Sequence, residues 1–210
     1  MTTRIKISGI TNPDDARLAA RLGADLVAFV YWPRSQRYVT LEQTWAMRRA
    51  LPSQVATVGI FVDAPLPLVQ HVMHHCALDH AQLFGTEPRS EVEALAPHAF
   101  KALRIDRPEA VEQGLRSYLG LRPSRHAAPA LLLNLGGALA EGWAAAEAAC
   151  VKAPVLLASP ALDAGKAGDA IAMARPWGVD VWSAVEAEPG KLDPDRLAGF
   201  IDAVRRADAR

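Results

Sequence analysis

The sequence predicts an α/β protein, a single (β/α)8 barrel over residues 1–210, and three observations carry that prediction. Short β-branched or Leu-rich runs alternate with longer segments of helix-former composition and apolar spacing of three and four. Eight such pairs follow one another with no linker between them. Most of the runs are apolar on both faces, as strands covered on two sides must be. A doubly wound open sheet is the competing arrangement. Barrels more commonly take about 250 residues, so the connections here must be tight.

Taken in order, the first strand is Arg4–Ile7 and its helix spans about 12–22, where Asn12-Pro13-Asp14-Asp15 places proline and acids in the first turn. Asp25–Val30 leads to a helix at 41–51, and Val55–Val62 to one at 65–76 opened by Ala64-Pro65. Asp79–Leu83 precedes a helix at 90–96, and Phe100–Ile105 precedes one at 108–118 opened by Arg107-Pro108-Glu109. Ala130–Asn134 pairs with 141–149, Val155–Ala158 with 163–174, and Val179–Ser183 with 193–206, whose start Asp193-Pro194-Asp195 repeats the punctuation. The one irregular stretch, Gly120 to Pro129, reads as a solvated loop on the face of the barrel away from the chemistry.

Composition narrows the function classes. With 23 Lys+Arg against 23 Asp+Glu the formal charge is zero, which gives no net field to collect nucleic acid or anionic membrane. No apolar run approaches the roughly 20 residues of a bilayer crossing, and no charged-then-apolar leader opens the chain. Two distant cysteines, Cys76 and Cys150, fit a reducing compartment. The expectation is a soluble, unprocessed, cytoplasmic protein, monomer or homodimer, with a small-molecule ligand and neither nucleic-acid nor membrane partners. His71-Val72-Met73-His74-His75-Cys76, followed by His80, invites a metal reading because residues three and four apart share a helical face. No carboxylate is interleaved at ligand spacing, so these read as surface histidines, and no metal is expected.

In a barrel the chemistry gathers at the carboxyl ends of the strands. Those places hold Ser8-Gly9, Tyr31 to Tyr38, Asp63, Phe84-Gly85, Arg104, Asp106, Asn134 to Gly137, Ser159-Pro160 and Trp182 to Glu186. Several runs there and nearby match one family in order: Lys6-Ile7-Ser8-Gly9-Ile10-Thr11, Gly23-Ala24-Asp25, Arg34-Ser35-Gln36-Arg37-Tyr38-Val39 and Val58-Gly59-Ile60-Phe61-Val62. Gln82-Leu83-Phe84-Gly85, Lys101-Ala102, Gly178-Val179-Asp180-Val181, Val185-Glu186, Pro189-Gly190-Lys191 and Asp193 continue the series. Together they resemble the phosphoribosylanthranilate isomerase family, a single-domain TIM barrel of tryptophan biosynthesis. The resemblance implies a cofactor-free Amadori rearrangement of an aminoaldose phosphate to an aminoketose phosphate. It also implies a Cys base ending strand one, an Asp acid ending strand six, and an Arg after strand two that orients the anthranilate portion. Glycine-rich loops after strands seven and eight, helped by the sixth, would hold the phosphate.

This chain departs from that pattern at both acid–base positions. Ser8 stands at the base, and an alcohol lies far above the thiol range near 8.5 and needs a base of its own. Asn134 stands at the acid, and a carboxamide has no titratable proton to give. Arg37 is retained. In the phosphate loops Ser159-Pro160 replaces Gly-Gly, Trp182-Ser183-Ala184 replaces Ser-Ser-Gly, and Gly136-Gly137 belongs to a shortened sixth loop. Phe84 replaces a histidine. The expected site therefore comprises Ser8 and Asn134 at the catalytic positions, with Arg37, Phe84, Gly136, Gly137, Ser159, Trp182, Ser183 and Ala184 as the binding surface. The isomerase activity is expected to be absent or strongly reduced.

Other readings of the same residues stay open. Ser8 and Asn134 can be buried polar groups bonded at the barrel mouth, since neither has an evident His or carboxylate partner in sequence. Asp63 and Glu186 can fix loops, or Asp63 can act as an alternative base. The alternative function is a noncatalytic or repurposed barrel that binds a less anionic small ligand or a protein partner.

Overall fold

A computed structural model describes residues 2–118, 129–136 and 139–209. Its strands are β1 (Arg4–Ser8), β2 (Leu26–Val30), β3 (Ala56–Phe61), β4 (His80–Leu83), β5 (Ala99–Ile105), β6 (Leu131–Leu135), β7 (Val155–Ala158) and β8 (Gly178–Val181). Each pairs in parallel with the next, and β8 pairs back onto β1 through Lys6↔Asp180 and Ile7↔Val181, closing the barrel. The open-sheet alternative is thereby removed. Between and after the strands lie α1 (Pro13–Leu22), α2 (Leu41–Ala50), α3 (Leu66–His75), α4 (Arg89–Ala94), α5 (Pro108–Tyr118), α6 (Leu139–Lys152), α7 (Ala164–Ala174) and α8 (Pro194–Asp208).

Four helix starts are fixed by side-chain caps. Asn12 Oδ1 accepts from the Asp15 N–H, Thr40 and Gln43 form a reciprocal capping box, and Asp163 and Asp193 each accept from N–H groups of their first turns. Two apolar cores follow from strand alternation. One lies between the strands and helices and takes Ile5, Ile7, Val27, Phe29, Leu83, Leu131, Leu133, Leu157, Val179 and Val181. The other fills the barrel with Leu26, Ala28, Val30, Val58, Ile60, Phe100, Ala102, Leu132, Leu156 and Ala158, against which Phe84, Trp177 and Trp182 pack. Lys6, Ser8, Gln82 and Asp180 alternate with outward-facing neighbours and so share the barrel interior.

Several element boundaries differ from the sequence reading, among them those of β1, β8 and α6. Ser8 is the last residue of β1, and β8 ends at Val181 rather than Ser183, because Ser183–Val185 winds into a single 3-10 turn. α6 begins before and ends after the expected 141–149. An unexpected antiparallel hairpin, β9 (Glu186–Glu188) with β10 (Lys191–Leu192), follows the turn. The expected loop from Gly120 to Pro129 lies, except for its last residue, outside the described residues, and so does Gly137. No helix among the described residues is long and apolar enough to cross a membrane.

Candidate active site

The barrel mouth carries a closed triangle of polar contacts where β1 meets β8. Lys6 Nζ donates to Ser8 Oγ at 2.6 Å and to Asp180 Oδ2 at 2.9 Å, and the Ser8 hydroxyl donates to Asp180 Oδ1 at 2.6 Å. Lys6 and Ser8 meet because residues two apart on a strand share a face; Asp180 joins them because β8 closes on β1. All three are buried. Burial pushes the Lys6 ammonium below its ordinary value, while the charge and hydrogen bond of Asp180 pull the other way. The expectation that Ser8 lacks a carboxylate partner is therefore wrong. Ser8 spends its proton on Asp180 and one lone pair on Lys6, which leaves a second lone pair on the hydroxyl.

Beside this triangle Arg37 is held in a two-point clamp. Its Nε donates to Glu186 Oε1 at 2.7 Å and its Nη2 donates to Glu186 Oε2. Glu186 Oε1 also accepts from the Gly190 N–H at 3.0 Å, and Arg196 Nη1 donates to the Glu186 carbonyl at 2.6 Å. The fork geometry orients the guanidinium as a single flexible contact cannot. Gly9 makes the approach possible: at φ 84 it occupies the left-handed region, and a Cβ there would stand 2.5 Å from Arg37 Cδ. Glu186 thus fixes a loop and an arginine, as one reading of the sequence had it.

Asp63 does not stand free as a base. Its Oδ1 accepts from the Thr86 N–H at 2.6 Å and from the Thr86 hydroxyl at 2.8 Å, and these bonds hold its carboxyl below the usual carboxylate range. Its own N–H donates to Glu87 Oε1. Glu87 in turn pairs with Lys101, whose Nζ donates to Glu87 Oε2 and the Gly85 carbonyl, each at 2.6 Å, and to the Leu83 carbonyl at 3.3 Å. Lys101 alternates with the barrel-filling Phe100 and Ala102, so this buried pair lies on the helix side of the sheet. It ties the β4 and β5 ends together and faces no ligand space.

The rest of the mouth is much barer. Asn134 is half-buried as the next-to-last residue of β6, and among the described residues its carboxamide has no hydrogen-bond partner. Its neighbour across the ladder is Arg104, which pairs with Asp106 at the surface. Gly136 donates its N–H to the Ile105 carbonyl. Ser159 is buried and its hydroxyl accepts from the Ala161 N–H at 3.2 Å, folding the Ser159-Pro160 turn onto itself. Trp182 packs against the barrel filling from above β8, with Ser183 and Ala184 in the turn after it, and Phe84 packs against the same filling from β4. Gln82 is buried on the inner face of β4 with its Oε1 unbonded among the described residues.

The histidine segment makes no site with the rest. His71 and His75 stack at 5.5 Å on α3, with Trp45 edge-on to His75, whereas His80 lies buried in β4. No group of three or more His, Cys, Asp or Glu that could hold a metal occurs among the described residues. Burial pushes the Cys76 thiol up and the Cys150 thiol to about 12.

The chain and its closed barrel have counterparts among known proteins. The sequence model of N-(5'phosphoribosyl)anthranilate (PRA) isomerase matches residues 5–203. The chain belongs to the phosphoribosylanthranilate isomerase family. It is 36% identical to N-(5'-phosphoribosyl)anthranilate isomerase of Pelobacter propionicus, over 94% of this chain and 93% of that one. It is 34% identical to the Bordetella petrii protein of the same name, over 100% and 98%. The solved phosphoribosyl anthranilate isomerase of Thermotoga maritima superposes with a TM-score of 0.88 at 30% identity, covering 98% of this chain and all of the other. A solved family member in complex with reduced 1-(o-carboxyphenylamino)-1-deoxyribulose 5-phosphate gives a TM-score of 0.86 at 30% identity, with the same coverage.

Sequence reasoning singled out Ser8, Arg37, Phe84, Asn134 and Trp182, and the structure brings Ser8 and Arg37 together through Gly9 while Asn134 stands two strands from Asp180, with Ala158 of β7 between them. It passed over Lys6, Asp180 and Glu87. The signal was present in each strand: a lysine or aspartate inside an otherwise apolar buried run must have a partner.

Proposed function

We propose that this isomerase-family chain catalyses the Amadori rearrangement of N-(5'-phosphoribosyl)anthranilate without a cofactor and at a strongly reduced rate. It would act in the cytoplasm, as a single domain and as a monomer or homodimer. The observation that carries the reading is the asymmetry of the mouth. A hydroxyl bonded to a carboxylate stands on the β1–β8 wall, and a carboxamide stands at Asn134. Moving the sugar from aldose to ketose needs a proton taken from C2, and opening the furanose needs a proton given to its ring oxygen. The first wall has somewhere to put a proton; Asn134 has none to give. Ring opening is then left to the spontaneous equilibrium of the aminosugar, which caps the rate. Arg37, oriented by Glu186, supplies a fixed cation for the anthranilate carboxylate.

The test is loss of substrate fluorescence with the purified unmodified chain, run against a boiled control and an active family member. Slow turnover above the control is the expected result; turnover equal to the relative overturns it. A second reading, a repurposed barrel with a less anionic ligand, is favoured by Trp182 and Pro160 at the expected phosphate end, since proline offers no N–H to a phosphate oxygen. Binding without turnover, insensitive to removal of the phosphate from the ligand, would support that second reading.

A further inference from the structure

We propose that Ser8 and Asp180 form a proton relay that takes the place of a thiolate base, with Ser8 Oγ receiving the substrate's C2 proton as its own proton passes to Asp180 Oδ1. The proposal rests on the isomerase reading above and assigns its proton-abstracting half. Three observations carry it. Ser8 Oγ sits 2.6 Å from Asp180 Oδ1 with its hydroxyl directed there, so the outgoing proton has an acceptor already in place. Lys6 Nζ holds both members, at 2.6 Å and 2.9 Å, so the carboxylate cannot turn away from the hydroxyl. The remaining lone pair of Ser8 Oγ belongs to the last residue of β1, on the barrel's inner face and beside the clamped Arg37. Lys101 and Glu87 form an equally buried pair, but no hydroxyl bridges them and they lie on the other side of the sheet.

The chemistry balances without any further reactant. In the open-chain iminium form the C2–H bond breaks, its electron pair forms C1=C2, and the C1=N pair moves onto nitrogen. The C2 proton joins Ser8 Oγ while the former Ser8 proton joins Asp180, so serine ends neutral and aspartate ends as the acid. The return path delivers a proton from Asp180 through Ser8 to C1 while the C2 hydroxyl releases its proton to water. The aminoketose leaves and the triangle is restored. Serine never carries a free alkoxide, which its unassisted pKa would forbid at neutral pH. Asp180 acts through Ser8, and Lys6 positions both.

The experiment compares Asp180→Asn in two backgrounds, the unmodified chain and Ser8→Cys, with kcat and KM for phosphoribosylanthranilate as readouts. Binding of the reduced aminodeoxyribulose phosphate is the check on folding. In the native background Asp180→Asn is expected to lower kcat about 100-fold with little change in KM. In the Ser8→Cys background the loss should shrink to less than about tenfold, because a thiol can ionise and serve as its own base. Ser8→Ala keeps the Lys6–Asp180 pair, so it isolates the relay from the fold and should also cost about 100-fold. An equal loss from Asp180→Asn in both backgrounds makes Asp180 structural and overturns the relay. Undiminished turnover by Ser8→Ala overturns the relay and leaves the isomerase reading standing. An unmodified chain without turnover overturns both.

Discussion

Two lysines are buried in this barrel to nearly the same depth, and they do different work. Lys101, on the helix side of β5, has an acceptor for each ammonium proton: two carbonyls and the Glu87 carboxylate. Lys6, on the inner side of β1, shares one carboxylate with a serine hydroxyl and is pushed toward its neutral form by burial. A buried charge whose donors are all matched is a rivet. A buried charge that shares its partner with a polarisable hydroxyl at a barrel mouth is poised for proton movement, and depth alone does not distinguish the two.

The largest effect that would sharpen this contrast is structural. Lys101→Met strands Glu87 in the low-dielectric space between β4 and β5, and should cost about 3–5 kcal/mol in denaturant unfolding. A negligible loss would put Lys101 outside the role of rivet. Next comes Asn134→Asp, which places an acid two strands along the barrel from Asp180. It is expected to raise turnover about 100-fold, and to raise it far less when Asp180→Asn is also present. Equal gains in both backgrounds would show that the Lys6 side contributes no proton acceptor.

Arg37→Lys should act more gently, replacing the two-point contact with Glu186 by a point charge. A rise in KM of roughly tenfold with little change in kcat is expected, and an unchanged KM would remove Arg37 from binding. The smallest effect is a slope. The folded pKa of Lys6 lies below its unfolded value, so between the two the unfolded chain binds more protons. Stability from this group therefore rises with pH toward 10.5 and is lowest below the folded pKa. Tyr31, whose pKa burial raises, works in the opposite direction above 10. Unfolding measured as the pH rises toward 10 should show a positive slope that Lys6→Met removes; a slope retained in that variant would assign it elsewhere.

Much of the fold is legible in the sequence because its causes are local. Strand runs such as Leu131–Leu133 and Val155–Ala158, and helix openings at Asn12-Pro13 and Asp193-Pro194, depend on residues close together in the chain. Ser8 and Arg37 were likewise visible as strand-end residues. What stayed hidden depends on closure. Asp180 reaches Ser8 across 172 positions of sequence, and Glu186 reaches Arg37 across 149. Nothing in either segment names the other. The β9–β10 hairpin escaped because three apolar-poor residues from Glu186 to Glu188 have no strand period, and the pairing rests on the Pro189-Gly190 turn, where Gly190 has φ 82.

The join between β1 and β8 has one more consequence, for the order in which the molecule comes into being. Serine, lysine and arginine of the mouth all emerge from the ribosome within the first forty or so residues, and their anionic partners come only with β8 and the hairpin after it. Until that last strand docks, Lys6 is an unpaired cation on an open sheet edge, and hydration keeps it there. The site is thus assembled by the same event that shuts the barrel. A nascent or partly unravelled chain lacks both the triangle and the Arg37 clamp, and loss of the β1–β8 ladder takes the triangle apart before most of the hydrophobic interior is exposed.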